Sequence, residues 1–229
     1  MARRTGGTRT RRGAGASNGE RPRRDTSAPS PKPFLKWAGG KRQLLPMLRR
    51  WYPPRFGRYF EPFLGGGAVF FDRAPERATL SDLNRELIDC YCVVRDHVDD
   101  LIEQLAAHKY EREHYYAVRD LDPRELEPVE SAARTIYLNR TGFNGLYRVN
   151  SKGRFNVPFG RHKNPKICDE ANLRACSAAL ASATLRHESF EAVADAAAPG
   201  DFVYFDPPYI PLSPTANFTA YHSQAFDWA

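Results

Sequence analysis

The stretch FEPFLGGG at residues 60–67 decides the fold, because it joins a short apolar strand to a glycine-rich turn. Apolar residues beginning at Ala68 follow the turn and predict the start of a helix. Glycines at this point allow a sharp turn and let the backbone approach a ligand closely. Residues 58–71 therefore predict a strand, a turn and a helix.

The same alternation continues on both sides of this stretch. Further strands are predicted at residues 79–82, 184–188 and 202–205, and helices at 86–105, 110–121, 129–139, 171–183 and 191–197. Strands that alternate with helices favour an α/β fold with a mostly parallel sheet covered on both faces.

The net charge of +7 is unevenly distributed along the 229 residues. Residues 1–32 hold nine Arg or Lys against two acidic groups and no Leu, Ile, Val or aromatic residue. We expect this segment to be a disordered basic tail. Residues 131–168 hold eight basic residues and no acidic one, which favours a nucleic-acid partner.

Several protein classes are excluded by composition. No stretch approaches the roughly 18 consecutive apolar residues of a membrane span, and the N-terminus lacks the apolar run of a secretory signal. The four cysteines and six histidines do not match zinc-ligand spacings, so we expect reduced thiols and no metal. A soluble, intracellular protein is expected.

Asp206-Pro207-Pro208-Tyr209 directly follows the last predicted strand. Two prolines stiffen the loop and leave its carbonyls free to accept hydrogen bonds. A carboxylate, a proline carbonyl and a tyrosine ring could together hold a planar heterocyclic amine. The alternative interpretation is a rigid turn with a helix-capping aspartate.

Two further sites predict a nucleoside ligand. Asp82 ends the strand after the glycine turn, where a carboxylate can accept from both ribose hydroxyls. In FLKWAGGK, residues 34–41, Trp37 and Lys41 could stack on a ligand and hold its carboxylate. Taken alone, this segment is better explained as a surface loop.

The chain resembles the Dam-type, D12-class DNA N6-adenine methyltransferases in five stretches that follow one another in order. These are FLKWAGGK, FEPFLGGG, SDLN, a basic insert beginning NRTGFNGLYR, and FDPPYIPLSP. The resemblance implies a Rossmann-like methyltransferase sheet with a small helical and hairpin DNA-recognition domain inserted. Residues 33–84 and 168–229 would form the catalytic domain, and residues 85–167 the recognition insert. The family continues beyond the DPPY strand, so the resemblance also implies that C-terminal strands are missing here.

The resemblance assigns roles to individual residues. S-adenosylmethionine would be bound by Trp37, Lys41, Phe63, Gly65, Asp82, Phe190 and Asp206. Asp206, Pro207, Pro208 and Tyr209 would form the catalytic motif. DNA would be contacted by Lys36, Arg140, Phe143, Asn144, Leu146, Arg148 and Pro158.

Within that last set, the residues have different predicted tasks. Arg148 would read the outer guanine of GATC, Leu146 and Pro158 would touch the thymine methyl, and Phe143 would wedge into the helix. Lys36 would match a base-contacting lysine of the family, and the other basic residues would contact phosphates. Arg134 and Arg161 are interpreted as solvated charges.

The expected function is methyl transfer from S-adenosylmethionine to adenine N6 in double-stranded DNA, with the base flipped out. Two alternatives stay open: a catalytically incompetent DNA-binding fragment, and a protein glutamine N5-methyltransferase, whose motif begins with Asn instead of Asp206. A cognate restriction endonuclease is a further conceivable partner. The expected location is the cytoplasm and nucleoid of a prokaryote or phage host.

Overall fold

The computed structural model of the chain describes residues 29–208. Its strands are β1 (Tyr59–Glu61), β2 (Ala78–Asp82), β3 (Thr184–His187) and β4 (Phe202–Val203). Its helices are α1 (Leu45–Leu48), α2 (Ala68–Arg73), α3 (Arg85–Asp96), α4 (Val98–Ala107), α5 (Arg112–Asp120), α6 (Pro128–Thr141), α7 (Glu170–Leu180) and α8 (Ala192–Ala196). Short 3-10 turns lie at Lys41–Leu44 and Phe143–Gly145.

The four strands form one parallel sheet in the order β3-β2-β1-β4. The predicted parallel α/β architecture is therefore confirmed. From β1 the chain moves outward through β2 to β3, and β4 then pairs with the opposite side of β1. This reversal of direction opens a crevice at the carboxyl ends of β1 and β4, where open α/β sheets bind ligands.

The prediction of one continuous helix over residues 86–105 is wrong, because the structure has two helices there, α3 and α4. His97 lies between them with φ −135° and ψ 39°, outside the helical region. Asn84 caps the start of α3, where its side chain accepts a hydrogen bond from the Leu87 amide at 3.0 Å. Each helix buries its own apolar face, so one apparent periodicity in the sequence covers two separate helices.

Two apolar clusters form the core. The larger one surrounds the sheet and includes Tyr59, Phe70, Leu80 and Tyr91, all almost fully buried. The smaller one lies beneath the basic segment and includes Tyr115, Tyr137, Leu138 and Val157. Trp37 and Ile167 pack against both clusters, so the two share a boundary.

The domain limits predicted from the sequence stay predictions, but two sets of contacts cross them. The α3 residues Leu87 and Val94 lie in the larger cluster with the sheet, although α3 was assigned to the recognition insert. At the other end, the Lys32 amide donates to Asn172 Oδ1 at 2.9 Å. Contacts with the body therefore begin before Pro33.

The sequence analysis interpreted Arg134 as a solvated charge. The structure shows instead that Arg134 is buried, with 2% exposure. Its Nε donates to the Val118 carbonyl at 3.1 Å and its Nη2 to the Arg119 carbonyl at 2.9 Å. These carbonyls belong to the last turn of α5, which lacks intrahelical donors. Arg134 therefore acts as a structural cap that joins α6 to the end of α5.

Among residues 29–208, no helix is long and apolar enough to cross a membrane.

The central strand makes a direct stability prediction. Leu80 in β2 is fully buried, so we expect Leu80→Ala to lower the free energy of unfolding by about 2–5 kcal/mol. Leu121→Ala is the control, because Leu121 is 46% exposed and its loss should cost about 0.5 kcal/mol or less. Urea unfolding of both variants measures the difference; equal losses would contradict this core assignment.

Candidate active site

The glycine turn after β1 is bonded directly to the end of β2. Gly65 has a φ of +47°, and its amide donates to Asp82 Oδ2 at 3.0 Å. Asp82 is buried, and its Oδ1 accepts from the Asn84 amide at 2.9 Å. A Cβ at position 65 would lie 2.8 Å from Cδ1 of Trp37. Both the backbone angle and this close approach require glycine here.

Asp206 and Lys41, 165 positions apart in sequence, form an ion pair across the crevice, with Nζ 2.5 Å from Oδ2. Lys41 Nζ also donates to the Gly39 carbonyl at 2.7 Å. The two side chains are 11% and 22% exposed. Pro207 and Pro208 are half-buried beside them, while Tyr209 lies outside the described residues.

Aromatic rings line the same edge of the sheet. Phe63 and Phe190 stack with centroids 5.4 Å apart and planes 24° apart. Phe205 approaches both rings, with centroid distances of 6.1 Å to Phe63 and 6.4 Å to Phe190, and is 51% exposed. The sequence analysis missed Phe205, although its position directly before Asp206 was a usable signal.

Glu61 is a second residue to which the sequence analysis gave no role. It ends β1 with 3% exposure and accepts from the Tyr59 hydroxyl at 2.7 Å and from the Phe70 amide at 3.1 Å. Burial raises the pKa of Glu61 to about 8, a shift that Asp206 increases and the two hydrogen bonds oppose. A single acidic residue at the end of an apolar strand was the available signal.

The contacts bring the seven proposed cofactor residues to one edge of the sheet. Trp37 packs on Gly65, Gly65 bonds to Asp82, Lys41 pairs with Asp206, and Phe63 stacks on Phe190. Aromatic faces, a buried carboxylate at a strand end and an ammonium group fit a nucleoside that also carries an amino-acid carboxylate. Within residues 29–208, no group of three or more His, Cys, Asp or Glu is placed to hold a metal ion.

The proposed base-reading residues other than Lys36 lie on one hairpin, residues 142–159, whose two arms pair at Gly142 with Phe159 and at Val149 with Phe155. The Phe143 amide donates to the Pro158 carbonyl at 2.9 Å, and Phe143 is 49% exposed. Arg148 is exposed, and its Nε donates to Asn156 Oδ1 at 2.7 Å. This bond crosses the hairpin and orients the guanidinium. Asn144, at φ +54°, and Leu146 complete the surface between these residues.

A basic cleft of about 410 Å³ lies beside the hairpin. Its charged and ionisable lining side chains are Lys36, Arg140, Arg161, His162, Lys163 and Lys166. Arg140 is bonded to the protein itself: its Nη2 donates to the Phe34 carbonyl at 2.8 Å, and its buried Nε has no hydrogen-bond partner among residues 29–208. Arg161 is exposed, as expected, but shares this cleft with the other cations.

Together, the parallel sheet, the glycine turn and the acidic strand end define an α/β fold of the S-adenosylmethionine-dependent methyltransferase type. Residues 37–229 match the family model for D12 class N6 adenine-specific DNA methyltransferases. The chain belongs to this family.

Curated relatives agree with this assignment. The chain is 49% identical over 205 residues to the type II methyltransferase M1.LlaDCHI of Lactococcus lactis subsp. cremoris, covering 86% of this chain and 72% of the relative. It is 43% identical over 217 residues to M.MjaIII of Methanocaldococcus jannaschii, with 86% and 75% coverage. It is 40% identical over 200 residues to a DNA adenine methylase of Serratia marcescens, with 86% and 73% coverage.

The buried acid predicts a pH-dependent stability. Because the folded pKa of Glu61 exceeds its ordinary value of 4.5, folded protein binds more protons than unfolded protein between that value and about pH 8. The stability that the raised pKa of Glu61 contributes is therefore fully present below pH 4.5 and is lost as the pH rises to about 8. Glu61→Gln removes the cost of burying a charge, so we expect the variant to gain stability over the wild type across this range.

Thermal unfolding of both proteins from pH 5 to 9 measures this gap. Glu103→Gln on α4 is the matched control, because Glu103 is exposed and should give a pH-independent difference. A difference between Glu61→Gln and wild type that stays constant with pH would contradict the assigned protonation of Glu61.

Proposed function

We propose that the protein transfers a methyl group from S-adenosylmethionine to N6 of adenine in double-stranded DNA, within GATC and with the target base flipped out. The ion pair between Lys41 and Asp206 carries this proposal, because it brings the catalytic motif to the edge that holds the other cofactor residues. Family membership supports the reaction class.

The residues at this edge suit the cofactor in chemistry. Asp82 would accept from the ribose hydroxyls through its carboxylate oxygens, which the Gly65 and Asn84 amides hold in place. Phe63 and Phe190 would pack against the adenine ring, and Lys41 would attract the carboxylate. When bound, the cofactor supplies an electrophilic methyl group on a sulfonium.

Asp206 and Pro207 would act on the amine to be methylated. Adenine N6 is a poor nucleophile because its lone pair is delocalised into the ring. Hydrogen bonds from its two amino protons to an Asp206 carboxylate oxygen and the Pro207 carbonyl would favour a tetrahedral nitrogen with a localised lone pair. The stiff diproline loop holds both acceptors in place, so catalysis rests on proximity and fixed electrostatics.

The target atom is inaccessible in duplex DNA, so the base must leave the stack. The exposed ring of Phe143 is suited to fill the gap by wedging between bases. Arg148, which Asn156 orients, would contact guanine O6 and N7 in the major groove. Tyr209 would stack on the flipped adenine; it lies outside the described residues.

The basic cleft supports a phosphate contact beside the reading hairpin. Lys163 and Arg161 are exposed on its wall, and none of the lining residues that the structure describes is acidic. Such contacts position the protein on DNA without specifying sequence. A DNA substrate would place the protein with the chromosome or with phage DNA in the cytoplasm.

The relation to a restriction system is also part of the proposal. Two of the relatives are named type II methyltransferases, whereas the Serratia relative is named a DNA adenine methylase. A cognate restriction endonuclease is therefore one functional context, and a role without one is the other. Asp206 at the head of the motif favours adenine over a protein glutamine substrate.

The catalytic assignment is tested with Asp206→Ala. We expect methylation of a GATC duplex to fall by about 10²–10³-fold, because one fixed acceptor is lost from the reacting nitrogen. Transfer of a labelled methyl group measures the rate, and Asp195→Ala, an exposed carboxylate on α8, is the control. Near-normal turnover by Asp206→Ala would contradict the mechanism.

Calorimetry with S-adenosylmethionine on the chain itself accompanies this assay. Binding is expected for the wild type. If DNA affinity is kept while the wild type binds no cofactor, the alternative of a DNA-binding fragment is favoured.

Sequence reading is tested with Arg148→Ala. Loss of a bidentate guanine contact should reduce discrimination against a substituted outer base pair by about 1–3 kcal/mol, or roughly 5–150-fold. Lys163→Ala should instead weaken binding about equally for all duplexes and lower its salt dependence. Methylation rates on duplexes altered at each GATC position provide the measurement; equal wild-type rates on a scrambled site would remove the specificity assignment.

A further inference from the structure

One buried amide on α6 joins three segments of the chain. Asn139 is 2% exposed, and its Oδ1 accepts from the Lys36 amide at 2.8 Å. Its Nδ2 donates to the Lys36 carbonyl at 2.8 Å and to the Gly145 carbonyl at 3.0 Å. A single side chain therefore holds both backbone polar groups of Lys36 and the turn at Phe143–Gly145.

One of these segments continues into the cofactor edge. Trp37 follows Lys36 and packs on the glycine turn, where a Cβ at Gly65 would lie 2.8 Å from its Cδ1. A Cβ at Gly66 would lie 3.5 Å from Trp37 Cβ. The side chain that packs on the glycine turn therefore belongs to the residue directly after the backbone that Asn139 holds.

The other segment is the start of the base-reading hairpin. Gly145 has a φ of +64°, and a side chain there would collide with Cδ of Lys36. Tyr147 lies between the proposed reading residues Leu146 and Arg148. Its ring centroid is 5.0 Å from that of Trp37, and its hydroxyl donates to Glu86 Oε2 at 3.0 Å. The hairpin and the Trp37 segment therefore touch at two points.

We propose that Asn139 is a positioning residue that couples cofactor binding to DNA binding, by holding the Lys36–Trp37 segment and the base-reading hairpin in one fixed relation. This inference rests on the proposed function, since it needs both ligands. A displacement of the hairpin on DNA must move Lys36 or break the Asn139 bonds, and a displacement of Lys36 moves Trp37 against the glycine turn.

The chemistry of the three bonds requires an amide. Asparagine offers one acceptor and two donors here, whereas aspartate of the same shape offers acceptors alone. In Asn139→Asp, a carboxylate oxygen would face the Lys36 and Gly145 carbonyls, and both contacts would become repulsive. The hairpin and the cofactor segment would then separate while the rest of the fold is kept.

The chain contains a matched control. Asn172 on α7 grips Lys32 in the same way: the Lys32 amide donates to Oδ1 at 2.9 Å, and Nδ2 donates to the Lys32 carbonyl at 3.0 Å. Asn172 has 9% exposure, and both of these side-chain hydrogen bonds are to Lys32, outside the hairpin. Asn172→Asp therefore disrupts an equivalent clamp on the same N-terminal segment without touching the hairpin.

The experiment measures the dissociation constant of S-adenosylhomocysteine by calorimetry, with and without a saturating GATC duplex. The ratio of the two constants reports the coupling, which by linkage is the same for either ligand. For the wild type and Asn172→Asp we expect a ratio of about fivefold or more. For Asn139→Asp we expect a ratio near one, with each ligand still bound separately.

A wild-type ratio near one, or a ratio for Asn139→Asp equal to that of the wild type, would overturn the inference. So would an equal loss of coupling in Asn172→Asp, which would indicate a general effect of loosening the N-terminal segment. If Asn139→Asp does not fold, Asn139→Ser removes both amide donors without adding a charge and is measured in its place.

Failure of the inference is distinguishable from failure of the proposed function. If the wild type methylates GATC duplexes but shows no coupling, only the role of Asn139 is wrong. If the wild type binds neither S-adenosylhomocysteine nor DNA, the proposed function is wrong, and the role of Asn139 that depends on it is wrong as well.

Discussion

The parallel pairing of β1 with both β2 and β4 is the constraint on which the site depends. Because all three strands run in the same direction, their carboxyl ends meet at one edge. The three segments that follow them are far apart in sequence and adjacent in space. The topology therefore sets where chemistry can occur before any side chain is considered.

The parallel pairing also brings three carboxyl groups to one edge, and each of them has a different environment. Asp206 is paired with the ammonium of Lys41. Asp82 accepts from the backbone amides of Gly65 and Asn84. Glu61 is buried so completely that its raised pKa favours the protonated acid at neutral pH. Like charges in a small volume are thus reduced by pairing, by hydrogen bonding and by protonation.

The N-terminal loop at residues 34–41 links this edge to the hairpin of the basic segment. Its two ends have different tasks: Lys41 reaches Asp206, and the backbone of Lys36 is held by Asn139. Trp37 packs against both apolar clusters. This short loop is therefore one physical connection between the cofactor edge and the hairpin.

The sequence by itself determined the fold class, the family and the positions of the main motifs, because strand ends, glycine turns and the DPPY loop are local patterns. It did not predict the break at His97, the burial of Arg134, the raised pKa of Glu61 or the hydrogen bonds of Asn139. Each of these depends on which distant atoms a side chain meets, such as the carbonyls of α5 for Arg134 or Lys36 for Asn139. Burial and long-range hydrogen bonding are properties of the packed chain, and only the tertiary structure decided them.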